Sequence, residues 1–410
     1  MKITGRHLLV LVSMCGLLAT GVGLVTNVGG LFFKPIADEL GVGVGETSLM
    51  LTICNISFAV GGLLSPRLAE RLNPRLLIII CTAVLAGCTA ALTICPSIVA
   101  MYALCVGRGF AAGIVGFVFA TTVLNGWFVE SIGLATSIAM GCSGIAGAAF
   151  TPILSGIIEG SGWRMGFMVV ALATVVLNLP AICCVPAVNA RDAGILPFGA
   201  KEEDLASAAP DTSDAAPAQD APPISAVLFV AVLAYAVLGS AATALPQHFK
   251  VMAELYGQAA VGATMVSVCL VANTAGKIAL GALIDRIGTK ISLLIYTALV
   301  CAAAAALLFV HTPVALVVAA AGYGLVYAIA TVGISMITRD AFGLANYSKT
   351  YPVMSLGGNI ANATFTTVVG FMYDFSGGYT STLIMLIALL VITALCVIFV
   401  YAKRPKELAA

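Results

Sequence analysis

Twelve long apolar runs occupy most of the chain, at 7–33, 47–64, 76–94, 98–128, 134–158, 163–185, 224–247, 261–284, 291–310, 313–338, 351–373 and 380–401. Turn-forming and charged residues separate them. A spanning helix needs about 20 apolar residues, so each run predicts one. Several exceed that length, which suits tilted or cavity-lining helices. The pattern breaks once, at 187–223, a stretch of Ala, Pro, Asp and Glu with too little apolar surface to build a core. It reads as a flexible linker between two six-helix bundles, 1–186 and 224–410.

The two halves repeat at an offset of 215 or 216. Phe33-Lys34, Ala37 and Gly41 recur as Phe249-Lys250, Ala253 and Gly257. Leu68, Glu70 and Arg71 recur as Leu283, Asp285 and Arg286, and Ser161-Gly162 as Ser376-Gly377. Matches in order at a near-constant offset imply a duplicated six-helix unit. Such duplication, with substrate bound at the shared midplane, is a transporter architecture. The fold class expected is therefore an all-α integral membrane protein with twelve transmembrane helices in two pseudo-symmetric six-helix bundles. Because the first run has a later counterpart, it reads as a retained helix and not a cleaved signal, despite Lys2 and Arg6 before it.

Composition agrees: 61% of residues are hydrophobic and 9% charged, against about 25% charged in soluble domains. A net charge of +1 supplies no field for nucleic acid. The twelve cysteines have no zinc-ligand spacing, and three histidines cannot complete a metal cluster. No metal, cofactor or catalytic constellation is expected, so the chain does not read as an enzyme. Of the 19 Lys and Arg residues, fourteen fall on one side of the runs, three on the other, and Arg108 and Lys277 within them. The positive-inside rule then places both termini and the linker in the cytoplasm, with the chain crossing a cell's inner membrane. Two complete halves need no partner chain, so a monomer in the lipid bilayer is expected.

Lys277 and Arg108 carry the candidate chemistry. A cation at bilayer depth costs about 2.5–3.5 kcal/mol on insertion scales, which makes each a functional hypothesis. Lys277 sits about two turns inside the eighth run and either binds an anion or snorkels to the interface. Arg108, in the fourth, either clasps neighbouring backbone or makes a second anion contact. All 18 acidic residues fall in loops, tails or segment ends, and His7, His248 and His311 lie near run ends. Tyr323 and Tyr327 share a face at i, i+4 in the tenth run. Asn359 and Asn362 in the eleventh, and Asn27 in the first, are polar groups expected to face inward.

Gly281-x-Leu283-x-Asp285-Arg286-x-Gly288-x-Lys290 resembles the signature loop of the major facilitator superfamily. The first half carries a worn copy ending in Glu70-Arg71, without the glycines. In this reading Gly281 lets helices approach, and Asp285, Arg286, Lys290, Glu70 and Arg71 make gate contacts. Within the superfamily the chain looks most like the oxalate:formate antiporter and monocarboxylate transporter families. Three features carry this: Asn125-x-Trp127-Phe128 running into Gly141-x-x-Gly144-x-x-Gly147, Gly162-Trp163-Arg164, and Lys277 one turn before Gly281. The resemblance implies that Lys277 binds a substrate carboxylate and that Tyr323 and Tyr327 line its cavity. Asn273 stands where the symporters have an acid, and no second cation stands in the eleventh run, as dicarboxylate antiporters have. These departures imply exchange of a small organic anion, a monocarboxylate, by alternating access. Proton-coupled symport, efflux of an amphipathic compound and a non-transporting membrane sensor are the competing readings.

Overall fold

The computed structural model describes residues 5–128, 132–185, 187–199 and 224–404. Ten helices there are long and apolar enough to cross a membrane. We number the spans α1 (Gly5–Asn27), α2 (Val44–Arg71), α3 (Pro74–Ile94) and α4 (Ile98–Trp127). The helix over Ile132–Cys184 is two spans, α5 (132–161) and α6 (163–184), broken at Gly162, whose φ of 83° only glycine adopts readily. Then come α7 (Ala226–Leu255), α8 (Ala259–Ile287), α9 (Thr289–Phe309) and α10 (Pro313–Gly343). Gly343, at φ 70°, separates α10 from α11 (344–376), and α12 is Thr380–Lys403. α11 carries more polar residues, Asn359 and Asn362 among them, yet it is long enough to span.

The chain divides into two compact units. One holds Met1–Gly29 and Ile53–Pro217; the other holds Gly30–Thr52 and Ala218–Ala410. The boundary therefore does not follow the chain midpoint alone: the link after α1 and the first turns of α2 belong with α7–α12. In the first unit, small residues let backbones meet, as lipid-embedded helices require in place of a hydrophobic drive. A Cβ on Gly109 of α4 would overlap the Cys54 carbonyl of α2, and one on Gly113 the Phe58 carbonyl. Thr20 of α1 donates to Asn178 Oδ1 of α6 (3.0 Å), whose amide donates to Thr82 of α3 (3.2 Å). Gly109→Val should therefore wedge α2 from α4. Overpacking costs about 1–3 kcal/mol, read as a lowered unfolding temperature in detergent with α-helix content retained.

The part of the expected linker that is described, 187–199, is folded against its own unit. The Trp127 indole donates to the Ala187 carbonyl (3.2 Å) and Phe198 N–H to the Trp127 carbonyl (2.9 Å). His7 Nε2 lies 3.0 Å from the Leu196 carbonyl, ringed edge-on by Trp127, Phe128 and Phe198. Apolar Ile195, Leu196, Pro197 and Phe198 supply what the following Ala/Asp/Pro stretch lacks. Residues 200–223 lie outside the described residues.

The duplication survives in local geometry. Short helices Phe33–Leu40 and Phe249–Leu255 are followed by left-handed Gly41 (φ 65°) and Gly257 (φ 69°). Gly162 (φ 83°, ψ 164°) and its counterpart Gly377 (φ 66°, ψ 16°) both have positive φ but differ in ψ. Where the signature copy is worn, Gly288 (φ 81°) separates α8 from α9, whereas Asn73 takes the equivalent place and its side chain accepts from Arg75 N–H to cap α3.

Candidate functional site

Apart from the 3₁₀ turn that ends α3, four of the described spans leave regular α geometry, in pairs related by the repeat. In α1 a π-helix covers Ala19–Asn27 and a 3₁₀ turn Gly29–Phe32 follows; in α7 a 3₁₀ stretch covers Ala242–His248. In α4 regular helix stops at Ile114 and resumes at Phe117; in α10 a π-helix covers Ile329–Gly333. Irregular backbone at membrane depth is tolerated only where protein or a water-filled cavity satisfies its freed polar groups. Discontinuous helices in repeated carriers mark the binding region. In the second unit tyrosines do part of this work. The Tyr323 hydroxyl donates to the Ala242 carbonyl (2.9 Å), where α7 departs from α geometry, and Tyr235 to Ile329 (3.0 Å), where the π-helix begins.

Around the irregular stretch of α7 lies a set of polar side chains. Asn362 of α11 donates its amide to Thr243. Gln247 accepts from Gly30 N–H (3.2 Å) and bonds the Tyr327 hydroxyl. His248 is fully buried, with Nε2 3.0 Å from the Thr366 carbonyl and Nδ1 3.3 Å from the Tyr379 hydroxyl. His248 is thus a packed histidine with both ring nitrogens engaged. Thr243 and Gln247 had no part in the sequence reading because the seventh run ends, by hydropathy, at Gln247. Gln247-His248 beside Pro246 in an apolar run was the available signal.

On α8, Asn273 is buried with Oδ1 lacking any hydrogen-bond partner. Lys277, one turn on along the same face, is half-buried. Among the described residues no carboxylate lies within 4.0 Å of it. An unpaired ammonium and an unpaired amide oxygen on one helix face offer a cation and an acceptor to a ligand, and neither is used internally. Tyr327 is half-buried on α10, whereas Tyr323 is wholly buried, its hydroxyl committed to Ala242. Asn359 is exposed on α11.

Asn27 and Arg108 belong to the first unit. Asn27 donates to the Ser143 carbonyl of α5 (3.2 Å), tying off the end of the π-helix. Arg108 is buried, its Nε has no hydrogen-bond partner, and its guanidinium carbon lies 5.7 Å from the centre of the Phe167 ring. That distance is at the limit of a cation–π contact, so the guanidinium is packed but not fully satisfied.

The expected gate residues stand at helix ends. Asp285, Arg286 and Lys290 flank Gly288, and Glu70 and Arg71 close α2; all five are exposed, without an ion pair among the described residues. Gly281 has nothing within 4 Å of where a Cβ would sit, so the close helix approach expected there is not made. Among the described residues no group of three or more His, Cys, Asp or Glu could hold a metal ion.

These features match known proteins at the level of fold and family. Among curated proteins none matches the sequence. The nucleoside transporter NupG is similar in structure at 14% identity, with a TM-score of 0.70 over 98% of this chain and 100% of that one. A bacterial homolog of the human lysosomal transporter Spinster, in an inward-facing and occupied conformation, gives 0.64 at 15% identity over 98% and 97%. The family model described as Major Facilitator Superfamily matches residues 15–210 and 224–410. With that match covering both halves, the repeated helix breaks and the twelve spans find their explanation: the chain belongs to the Major Facilitator Superfamily, as a multi-pass membrane transporter and not an enzyme.

Proposed function

We propose that the chain carries a small organic anion, a monocarboxylate, by alternating access, and that it works by exchange. The observation that carries the reading is the pair on α8: Lys277 without a carboxylate partner, and Asn273 with a buried, unpartnered Oδ1. In a low-dielectric cavity an unpaired ammonium attracts an anion far more strongly than it would in water. Tyr327, Gln247 and the Asn362–Thr243 pair provide neutral polar contacts of the kind that orient a ligand in a mostly apolar site. Tyr323 supports α7 from behind, and Asn359, Asn27 and Arg108 are further candidates to contact the ligand. One cation on α8 and none within the membrane-depth part of α11 suits one carboxylate better than two. The Lys and Arg distribution supports both termini in the cytoplasm of a cell with the protein in its inner membrane, and the two complete halves support a monomer. The test is uptake of labelled lactate into proteoliposomes, competed by unlabelled formate, acetate, oxalate and nucleosides. Competition by the monocarboxylates supports the reading; competition by nucleosides alone defeats it.

Asp285, Arg286 and Lys290, with Glu70 and Arg71 in the first half, are proposed to form and break contacts at the cytoplasmic gate. Asp285→Asn removes a charge that a neighbouring helix N-terminus favours by about 0.3–1 kcal/mol. Transport should slow or become biased several-fold while the lactate Kd stays at the parental value. A parental transport rate in the mutant would remove Asp285 from the gate.

A further inference from the structure

Asp374, near the end of α11, accepts from the backbone N–H groups of Val44 (2.9 Å) and Gly45 (2.7 Å), the first residues of α2. It is an N-terminal cap supplied by a residue 330 positions away in sequence. The approach is close because side chains are missing. A Cβ on Gly45 would enter the Phe371 ring, and one on Gly370 would stand 2.8 Å from Gly45 Cα. The seam runs on for two turns, antiparallel, to Thr52, whose hydroxyl meets the Ala363 carbonyl (2.5 Å) and Thr367 Oγ1 (2.6 Å). Nearby, Lys34 pairs with Glu254 at 3.8 Å. All of this lies within one compact unit, while α2 from Ile53 onward belongs to the other. The start of α2 is thus fastened to α11.

We propose that Asp374 is the bolt of a latch holding the first two turns of α2 on α11, at the membrane face opposite the chain termini, and that its release is a step of the transport cycle. The chemistry suits repeated opening. A carboxylate is held by main-chain donors at a helix start, where it is strongly favoured. On release both sides are hydrated, so the exchange is nearly balanced and no charge is stranded in lipid. Glu46 Oε2 accepts from Gly43 N–H at 3.0 Å, so the start of α2 keeps a local cap when Asp374 leaves. Gly43 is the point of entry: a Cβ there would lie 3.1 Å from the Asp374 carboxyl carbon, so any larger residue displaces the bolt. Asp374 acts here through α2 and is a positioning residue, with no contact to substrate claimed.

The inference rests on alternating access, and the first arm of its test needs no substrate. Ser48 is fully buried in the seam. In right-side-out vesicles, Ser48→Cys should react slowly with a membrane-impermeant maleimide when Asp374 is intact. It should react about tenfold faster with Asp374→Ala, the change expected from losing roughly one net hydrogen bond's worth of closure. Asp374→Asn, keeping one acceptor oxygen, should fall between and serves where the alanine variant does not fold. An unchanged rate overturns the latch. In the second arm, Gly43→Cys with Asp374→Cys is oxidised with copper phenanthroline. A Cβ on Gly43 would lie 3.1 Å from the Asp374 carboxyl carbon, one bond from the Asp374 Cβ, which brings the two Cβ atoms within disulfide reach, and Gly43 is not among the positive-φ glycines. Uptake of labelled lactate should stop when the bridge forms and return with reductant. A bridged carrier transporting at the reduced rate would make Asp374 a static staple and overturn the proposal. Should the parent transport no carboxylate, the substrate reading fails, and the maleimide rates still decide the latch.

Discussion

Replacing Lys277 by alanine should abolish transport of a small carboxylate without preventing membrane insertion. Removing one partner of a desolvated charge pair costs about 2–5 kcal/mol, so carboxylate affinity should fall by about 30-fold or more, at 1.4 kcal/mol per tenfold. Insertion should become easier, because an intramembrane cation is itself unfavourable. The two effects have opposite signs, and that separates a binding role from a structural one. Expression and unfolding temperature should hold or rise while binding disappears. Lys277→Arg should keep the charge and part of the affinity, since a planar guanidinium presents its donors differently from an ammonium. Calorimetric titration of the purified variants with lactate provides the readout. Equal affinity in Lys277→Ala and parent would leave the snorkelling alternative for this lysine.

The second large effect concerns coupling. Liposomes preloaded with lactate should take up labelled lactate several-fold faster than empty ones, and a protonophore should not remove the difference. No deep carboxylate is present among the described residues. His248, buried on α7, has both ring nitrogens bonded, to Thr366 and Tyr379. The position before Lys277 that could hold an acid is Asn273, a group that does not titrate. A loaded anion neutralises Lys277 through each crossing. The empty carrier would return with a bare ammonium in a dry cavity, at a penalty on the order of several kcal/mol. Uptake that requires an inward proton gradient and ignores internal lactate would show that Lys277 releases its proton and that the carrier is a symporter.

Hydropathy and the repeat made much of this architecture legible. Run length counted the spans, including α11, which composition alone misses because Asn359 and Asn362 dilute its apolarity. The near-constant offset pairs Gly41 with Gly257, and both take positive φ, as expected where a glycine-dependent turn is copied with the unit that needs it. The helix breaks were not legible. A π or 3₁₀ stretch depends on which side chain reaches a freed carbonyl, as Tyr323 reaches Ala242 and Tyr235 reaches Ile329. That pairing joins residues 81 and 94 positions apart and leaves no periodic trace. Gln247 escaped notice for a related reason: hydropathy ends the seventh run at Gln247, within the 3₁₀ stretch, so a candidate site residue looked like a boundary. The same blindness hid the grouping of Gly30–Thr52 with α7–α12, which is made by Asp374 and Thr367 at the far end of the chain. Composition also took the linker as uniform. Its first thirteen described residues, 187–199, carry the apolar Ile195–Phe198 cluster that docks on His7 and Trp127.

The central claim is that the ligand is a small carboxylate, and thermal stability of the purified transporter tests it most directly. A ligand that binds only the folded state stabilises it by about 2.7 kcal/mol at 100 times its Kd. Formate, acetate, lactate, oxalate, adenosine and uridine should be titrated separately, against parent and Lys277→Ala. The account predicts that one or more monocarboxylates raise the unfolding temperature of the parent in a concentration-dependent way, and that the rise is absent from Lys277→Ala. A rise produced by the nucleosides and by none of the carboxylates, or one of equal size in Lys277→Ala, would contradict it.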